Sequence, residues 1–600
     1  PQILEAVSGM GEESLLDVLE EGIHQHLLLS EGQDWRFAHP LIRHVFYQTP
    51  SAARRQRLHQ QIGQMLERLY ADSFDAHLRE IAHHFIRAGP VAAPETIVTY
   101  ARRAGDQAFM AAAWGDAAQY YEAALSAAES IPHLPVRDRA ELHYRAGLAY
   151  YWDMDAGPTI DHYEKAIAAY RFAGDIRGAA RALMEQARTR YTLASVPLGT
   201  LVDIQPLEAA LEALGERETA LHGNILTIMS DAYSTAQQQD KAKELAQRAL
   251  EIGQRLQNDR LRAYAYFVLG VAESRSLHVQ AGVECFQKAL ASARRSDDLV
   301  LQDWPLARLP VSLMRLGRLP EVEAVGQEAC DLTRKCQDWG AYSVALSALT
   351  SAAVARGDFD AAESRAHETM LMVSRSHYPW GGERALCALA CARTLRGDWA
   401  AAEAALDTLI EPGRVFREVG PVVQTTARVL RQVVHTYAGV AAESTVARGI
   451  DAMLSAQVDT YALDPLCALV ELADLHHAPA LAERPYQALL RAMEQGVLFS
   501  IGWVCLLPRV SGVAATLHHQ WDMAEAHFQT ALEVALRLEA RLEIGRTYLD
   551  YARMLAVRDS KGDRPRAMTL VDQAYALLPA LGAHPLVRRA VELIPILHAG

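Results

Sequence analysis

The feature that most constrains this chain is a phrase that returns about every forty residues. Its clearest instance is Gly115-Asp116-Ala117-Ala118-Gln119-Tyr120-Tyr121-Glu122-Ala123-Ala124-Leu125. Related endings recur at Lys165-Ala166-Ile167, Ala209-Ala210-Leu211, Arg248-Ala249-Leu250, Lys288-Ala289-Leu290 and Glu328-Ala329-Cys330. The steps from Ala124 through Ala166, Ala210, Ala249, Ala289 and Ala329 are 42, 44, 39, 40 and 40 residues. Further units open at Gly357-Asp358-Phe359, Gly397-Asp398-Trp399 and Gln520-Trp521-Asp522. A period of this length marks stacked supersecondary units. Ala117, Tyr120, Tyr121, Ala124 and Leu125 follow i, i+3, i+4, i+7, i+8 spacing, one apolar stripe on a helix. The Gly-Asp pair is expected to end one helix in a left-handed cap and to start the next with a carboxylate that accepts its free amides. A single helical hairpin cannot bury its own stripe, so the hairpins must stack.

Composition agrees with helices. Half of the 600 residues are hydrophobic, but aromatics are only 7%, Ala and Leu dominate, and β-branched runs of strand length are scarce. A formal charge of -14 repels phosphate backbones, so nucleic acid is not an expected partner of the chain as a whole. Seven cysteines without a pairing pattern read as reduced thiols of a cytoplasmic protein. The longest uncharged apolar run, between Glu494 and Arg509, is too short to span a bilayer as a helix. The chain opens at Pro1 with no basic segment leading into an apolar one, so no signal peptide is read, and it starts as though cut from something longer.

The hairpins resemble tetratricopeptide repeats, lengthened to about forty residues from the standard ~34. The match covers roughly residues 101–600, and residues 411–500 fit poorly. Pro412, Gly413, Pro421, Pro465 and Pro485 punctuate that stretch, where an irregular pair or an insert is expected. The first hundred residues resemble something else. Trp35-Arg36-Phe37-Ala38-His39-Pro40-Leu41-Ile42-Arg43, Val45-Phe46-Tyr47 and Arg54-Arg55-Gln56-Arg57-Leu58-His59-Gln60 are similar to the segment of STAND signalling ATPases that follows the nucleotide-binding domain. Ile81-Ala82-His83-His84-Phe85 and Ala104-Gly105-Asp106-Gln107-Ala108 continue that likeness. It implies the end of a winged-helix module, with helices from residues 14–30 and a short strand at Trp35 to Phe37. It further implies a parent with an ATPase switch upstream and an output such as a class III adenylate or guanylate cyclase or a LuxR-type DNA-binding regulator, outside this chain.

Chemistry is hard to find in the sequence. There is no Gly-Lys dipeptide for a phosphate-binding loop, and Gly9-Met10-Gly11 reads as a turn. The doublets His83-His84, His476-His477 and His518-His519 point about 100° apart on a helix, poor geometry for one metal. His367-Glu368 lacks the second His of a zinc-protease helix. Cys387 and Cys391 could share a helix face, as buried small apolar groups or as half of a metal site. No nucleophile elbow occurs. No cofactor, metal or catalytic residue is assigned, and the chain is read as a non-enzyme.

The expected fold is all-α, an α-α superhelix of tetratricopeptide-like type with a small N-terminal winged-helix-like remnant. Its parts are residues 1–88 (winged-helix-like module and linker helices), 89–410 (repeats), 411–500 (degenerate or irregular repeats) and 501–600 (C-terminal repeats). The family fold implies that the first helices of successive hairpins line a concave face. Tyr144, Tyr151, Trp152, Arg188, Tyr191, Tyr233 and Arg275 lie in or near them, either as ligand anchors or as inter-repeat core. His39 and Arg43 face an upstream module or pack within the winged helix; Arg54 and Arg55, with Arg57, contact such a module or phosphate, or form a solvated helix face. The resulting expectation is a recognition arm for a protein, peptide or small-molecule ligand that biases the parent's ATPase. The alternatives are a homo-oligomerisation scaffold and, within the signalling reading, a cyclase or transcription-regulator parent.

Overall fold

The computed structural model describes residues 2–32, 34–192, 199–296, 298–376, 380–411, 416, 419–440 and 459–598, without the side chains of Gln2, Ala6, Glu31, Tyr191 and Thr192. Two compact units make up the chain, Pro1–Thr189 and Arg190–Gly600.

The first unit begins with α1 (Gln2–Ser8) and α2 (Glu12–His24), then an antiparallel pair, β1 (Leu28–Glu31) and β2 (Asp34–Phe37), with Leu28 opposite Phe37. The strand expected at Trp35 is present, whereas residues 28–30, expected to be helical, form its partner strand. The helices α3 (Pro40–Gln48), α4 (Ala52–Leu69) and α5 (Phe74–Ala88) lead into the hairpins α6 (Pro94–Met110)/α7 (Trp114–Ala128) and α8 (Val136–Trp152)/α9 (Ala156–Phe172), followed by α10 (Ile176–Thr192). Ala117, Tyr121, Ala124 and Leu125 are buried, so the predicted stripe is core.

The expected cap at Gly115 is not there. The amide of Ala113 reaches back to the carbonyl of Ala108 (2.9 Å), with Ala112 taking the left-handed conformation. The turn is therefore closed three residues earlier, and Gly115 already belongs to α7. At Gly357-Asp358 the phrase behaves as expected, whereas at Gly397-Asp398 the glycine is left-handed but the Asp398 side chain makes no cap hydrogen bond. Gly357 takes φ +80° after a helix, and the Asp358 carboxylate accepts the amide of Ala361 at 3.1 Å.

The second unit continues the stacking through α11 (Gln205–Leu214), α12 (Ala220–Thr235), α13 (Gln239–Arg255), α14 (Asp259–Arg275), α15 (Val279–Arg295), α16 (Val300–Arg315), α17 (Leu319–Cys336), α18 (Trp339–Arg356), α19 (Phe359–Ser376), α20 (Trp380–Arg396), α21 (Trp399–Ile410) and α22 (Pro421–Tyr437). Then follow α23 (Leu463–Leu475), α24 (Glu483–Glu494), the short pair β3 (Phe499–Ser500) and β4 (Cys505–Leu506), and α25 (Leu507–Leu517), α26 (Trp521–Arg537), α27 (Arg541–Arg558), α28 (Asp563–Leu577) and α29 (His584–His598). Pro421, Pro465 and Pro485 all lie in the first turn of a helix, where a missing amide costs nothing. Pro412 and Gly413 lie outside the described residues.

A second sequence period fixes how four of the hairpins close. Gly105, Gly147, Gly270 and Gly512 are followed sixteen residues later by Tyr121, Tyr163, Phe286 and Phe528, and each aromatic ring rests where a Cβ would stand, within 2.7–2.8 Å. Only a glycine lets the ring that close.

The expectation of an open inner face does not hold in the later repeats. Every residue from Gly340 to Ala355 in α18 is buried, as are nearly all of α20, α23 and α25. A helix that is apolar or small on all sides must be surrounded. Here α18 packs on α27, and α20 on α29. The β3–β4 hairpin fills the space between, with Phe499, Ile501, Trp503, Val504 and Cys505 in the core. It is tied in by Ser351 Oγ donating to Ile501 O (2.6 Å) and by Leu498 N donating to Arg315 O (2.7 Å).

Candidate functional site: an arginine cluster in the second unit

Four arginines of the second unit converge where three first helices stack: Arg275 at the end of α14, Arg308 and Arg315 on α16, and Arg384 in the first turns of α20. The short segment Asp459–Tyr461 closes the group; its Thr460 amide donates to the carbonyl of Arg275 (3.3 Å). The Arg275 guanidinium lies 5.2 Å from the Trp380 ring centre and 5.4 Å from that of Tyr461, and Nη1 donates to Ser234 Oγ at 3.1 Å. Arg384 reaches the Tyr461 hydroxyl at 3.4 Å, and Arg308 sits 5.8 Å over Trp304. Aromatic faces are good seats for guanidinium, but they supply no acceptor oxygens.

Among the described residues none of the four forms an ion pair with a carboxylate. Two carboxylates whose charge acts on the cluster, Asp459 and Asp464, have their hydrogen bonds elsewhere. Asp459 accepts from Gln237 Nε2 (3.2 Å) and the amides of Tyr461 and Ala462 (2.9 and 3.1 Å). Asp464 accepts from the amides of Gly502 and Trp503 (2.9 and 3.1 Å). Nε of Arg308, Nε of Arg315, Nε and Nη1 of Arg384 and Oγ1 of Thr460 are buried with no partner among the described residues. Arg315 and Arg384 are only 5% and 6% exposed. Buried polar groups are normally paired, so unmet donors gathered in one place call for an acceptor. The free space between them is ≈ 20 Å³, measured as the volume open to the centre of a water molecule. Val271, Phe286 and Val311 form its apolar wall.

The electrostatics follow from that arrangement. Burial and the neighbouring Arg384 push Arg315 down, to about 10. Burial alone would raise the Tyr461 phenol, yet Arg275, Arg384 and Arg308 outweigh it and bring the group down to about 8. Burial raises Asp464 to about 6 despite its amide donors and Arg315, and raises Glu383 to about 7 against the pull of Arg384. The cluster gathers four guanidiniums near the carboxylates of Asp459, Asp464 and Glu383, whose charge acts on it without a direct ion pair to any of the four among the described residues.

A second group of buried arginines in the same unit is built the opposite way. Arg509 donates to Glu543 (2.9 Å), Asp550 (2.7 Å) and Glu471 (3.0 Å), and Arg546 donates to Glu543 (3.0 Å), Glu471 and the carbonyl of Val504 (3.1 Å). Arg553 pairs with Asp474, while Arg589 lies 3.6 Å from Asp474 and 3.5 Å from Asp550. Trp503 Nε1 donates to Glu471 at 2.9 Å, and the Leu506 amide to Glu543 at 3.0 Å. Four guanidiniums meet four carboxylates. Burial would raise Glu471, but Arg546 and Arg509 hold it down at about 2.

The sequence-predicted residues fall in several places. Arg275 belongs to the cluster just described, and Tyr233 lies half-buried on α12 of the same unit. In the first unit Tyr144, Tyr151 and Trp152 lie on α8 and Arg188 on α10. The Arg188 guanidinium stands 4.7 Å over Tyr151 and pairs with the buried Glu185, Arg181 stands 3.9 Å over Tyr144, and Trp152 stacks on Trp114 at 5.6 Å. Tyr144 is buried and its phenol is pushed up by that burial. Tyr191 is in α10, and its side chain lies outside those described. His39 is exposed and caps α3, accepting the amide of Leu41 on Nδ1 (3.2 Å). Arg43 and Arg54 are exposed, whereas Arg55 donates to the carbonyls of Gln48 (3.3 Å) and Pro50 (2.6 Å) and lies over Tyr47. Cys387 and Cys391 are buried, and burial pushes both thiols up. No three His, Cys, Asp or Glu side chains among the described residues are grouped as metal ligands, and no helix among them is long and apolar enough to cross a membrane.

Arg308, Arg315, Arg384, Tyr461 and Thr460 were not singled out by the sequence. Their spacing carries no motif; the one available signal was a run of helices with no polar face, in which a lone arginine must be buried.

No family model and no curated protein matches this sequence. Solved structures similar to it include a Rap protein complexed with competence and sporulation factor, at 12% identity over 60% of this chain and 99% of that one, with a TM-score of 0.46. A STAND protein with a tetratricopeptide repeat sensor from Pyrococcus horikoshii is 14% identical over 68% of this chain and 59% of its own, with a TM-score of 0.33. The apo form of the quorum sensor NprR from B. thuringiensis is 12% identical over 62% and 96%, with a TM-score of 0.36. The functional reading therefore rests on the chain's own residues.

Proposed function

We propose that this chain is the recognition arm of a multidomain signal-transduction ATPase, binding a protein, peptide or small-molecule ligand whose preference for one arrangement of the repeats biases the parent's switch. The observation that carries the reading is the arginine cluster, because the neighbouring group around Arg509 and Arg546 is matched by four carboxylates while Arg308, Arg315 and Arg384 keep buried donors with no acceptor among the described residues. A ligand shifts a switch only through unequal affinity for its two states, and a site between stacked helices is sensitive to their spacing. In this reading residues 1–88 are the winged-helix-like module, 89–410 and 501–600 the regular repeats, and 411–500 the irregular ones. The β1–β2 pair after α2 supports the winged-helix element. On α3, Leu41, Val45, Phe46 and Tyr47 are exposed, apolar surface suited to an upstream module.

Thermal unfolding of the purified chain against metabolites, nucleotides and peptide pools tests the proposal, since a ligand that binds only the folded state raises the midpoint. A reproducible rise identifies the ligand. No rise with any of them, together with a mass in solution that grows with concentration, would favour self-assembly through the apolar surface of α3 instead.

A further inference from the structure

We infer that the cleft formed by Arg275, Arg308, Arg315 and Arg384 with Thr460 and Tyr461 is a binding site for a carboxylate group. The inference rests on the recognition reading only in taking this cleft as a place of contact. The donors specify an anion: four guanidiniums are gathered against Asp459 and Asp464, both of which are engaged by amide donors. Two of the arginines are more than nine-tenths buried and hold N–H groups with no partner among the described residues. An isolated buried cation is costly unless paired, so the empty form of this site is the unfavourable one. The available space selects among anions. A volume of ≈ 20 Å³ open to water centres holds one or two water-sized positions, which suits the two oxygens of a planar carboxylate better than the four of a phosphate. Guanidinium forks meet carboxylates with paired parallel hydrogen bonds, and the Thr460 hydroxyl offers one more donor. The apolar wall of Val271, Phe286 and Val311 and the edges of Trp380 and Tyr461 would contact carbon attached to that carboxylate. Its source is either the free C-terminus of a peptide or a small organic acid.

The experiment uses the 600-residue chain. Thermal unfolding and phenylglyoxal modification of arginine, mapped by mass spectrometry, are compared in sodium acetate, sodium phosphate and sodium chloride at matched ionic strength. Acetate is expected to raise the midpoint by on the order of 1–3 °C and to slow modification of Arg308, Arg315 and Arg384, but not of the exposed Arg102 and Arg171. Arg315→Met and Arg384→Met are expected to weaken acetate binding roughly 10–100-fold, the loss of a hydrogen bond to a charged group. Should a variant fail to fold, the protection pattern on the unaltered chain decides. Benzoate and the tripeptide Gly-Gly-Phe, as free acid and as C-terminal amide, separate the sources: protection by the acid and not the amide means a peptide terminus, and protection by benzoate alone means a small acid. Phosphate protecting as well as acetate, or no protection by any carboxylate, overturns the inference. If a lysate ligand raises the midpoint equally in both variants, the recognition reading stands without the carboxylate site. If acetate protects but no metabolite or peptide shifts the midpoint, the site stands and the recognition reading falls.

Discussion

The second unit gathers two groups of four arginines, and it treats them differently. Around Arg509 and Arg546, each guanidinium meets carboxylates from α23 and α27, and the β3–β4 hairpin contributes an indole and backbone groups to the same network. Around Arg275, Arg315 and Arg384, the neighbours are aromatic rings and aspartates whose hydrogen bonds go to amides rather than to guanidinium. Both groups are built on first helices in the same interior. The difference teaches that burial of arginine is no sign of function in itself: the accounting of acceptors separates a structural core from a place prepared for a ligand.

The largest expected effect breaks the balanced group. Arg509→Met leaves Glu543 and Asp550 short of a cation, and urea unfolding should show a loss of about 3–5 kcal/mol. A loss under about 1 kcal/mol would mean the network is not dry. Next comes acid. Glu471 ionises in the folded chain near 2, against 4.5 ordinarily. Its contribution of about 3 kcal/mol is fully present above its unfolded value and disappears as pH falls toward 2. The cleft titrates with the other sign. Asp464, raised to about 6, and Glu383, raised to about 7, disfavour the folded state at neutral pH, and that penalty eases as they take up protons below those values. Stability measured from pH 8 to 2 should therefore rise before it falls; Glu471→Gln should flatten the acid limb and leave the first rise intact.

A smaller and opposite effect is expected in the unbalanced group. Arg315→Met removes a buried cation that makes no direct ion pair among the described residues, although its charge acts on Asp464, and in chloride buffer the variant should be more stable by about 1–2 kcal/mol. Destabilisation on that scale would show that Arg315 is paired after all. The finest comparison uses two buried hydroxyls. Ser351→Ala deletes the bond to Ile501 and should cost about 1 kcal/mol, while Thr460→Val removes a hydroxyl without a partner and should be neutral within about 0.5 kcal/mol. Equal losses in thermal scans would erase the distinction.

Much of this architecture was legible in advance because helical hairpins announce themselves locally. The stripe through Ala117, Tyr121 and Ala124 and the Gly357-Asp358 turn follow from spacing and capping alone. Gly115 was misread because Ala112, a residue with no turn signature, takes the left-handed position instead. The site was legible only at Arg275. Arg308 and Arg315 share α16, but Arg275 and Arg384 come from other hairpins, and nothing within one period says that their helices stack with the charged ends inward. The filled interior left a trace that periodicity arguments pass over: residues 340–355 carry no charge at all, so α18 had no face to give to water.

The β3–β4 hairpin changes what kind of object the second unit is. An array whose repeats touch only their neighbours can melt from its ends, one hairpin at a time. Here Ser351 is bonded to a residue 150 positions away, and Arg315 and Glu543 are both bonded to the same short loop region. Those long-range ties couple distant repeats, so fraying at α16 is felt at α27. The stretch between them gains all-or-none cooperativity at the expense of folding speed, since its defining contacts close only after long loops have formed.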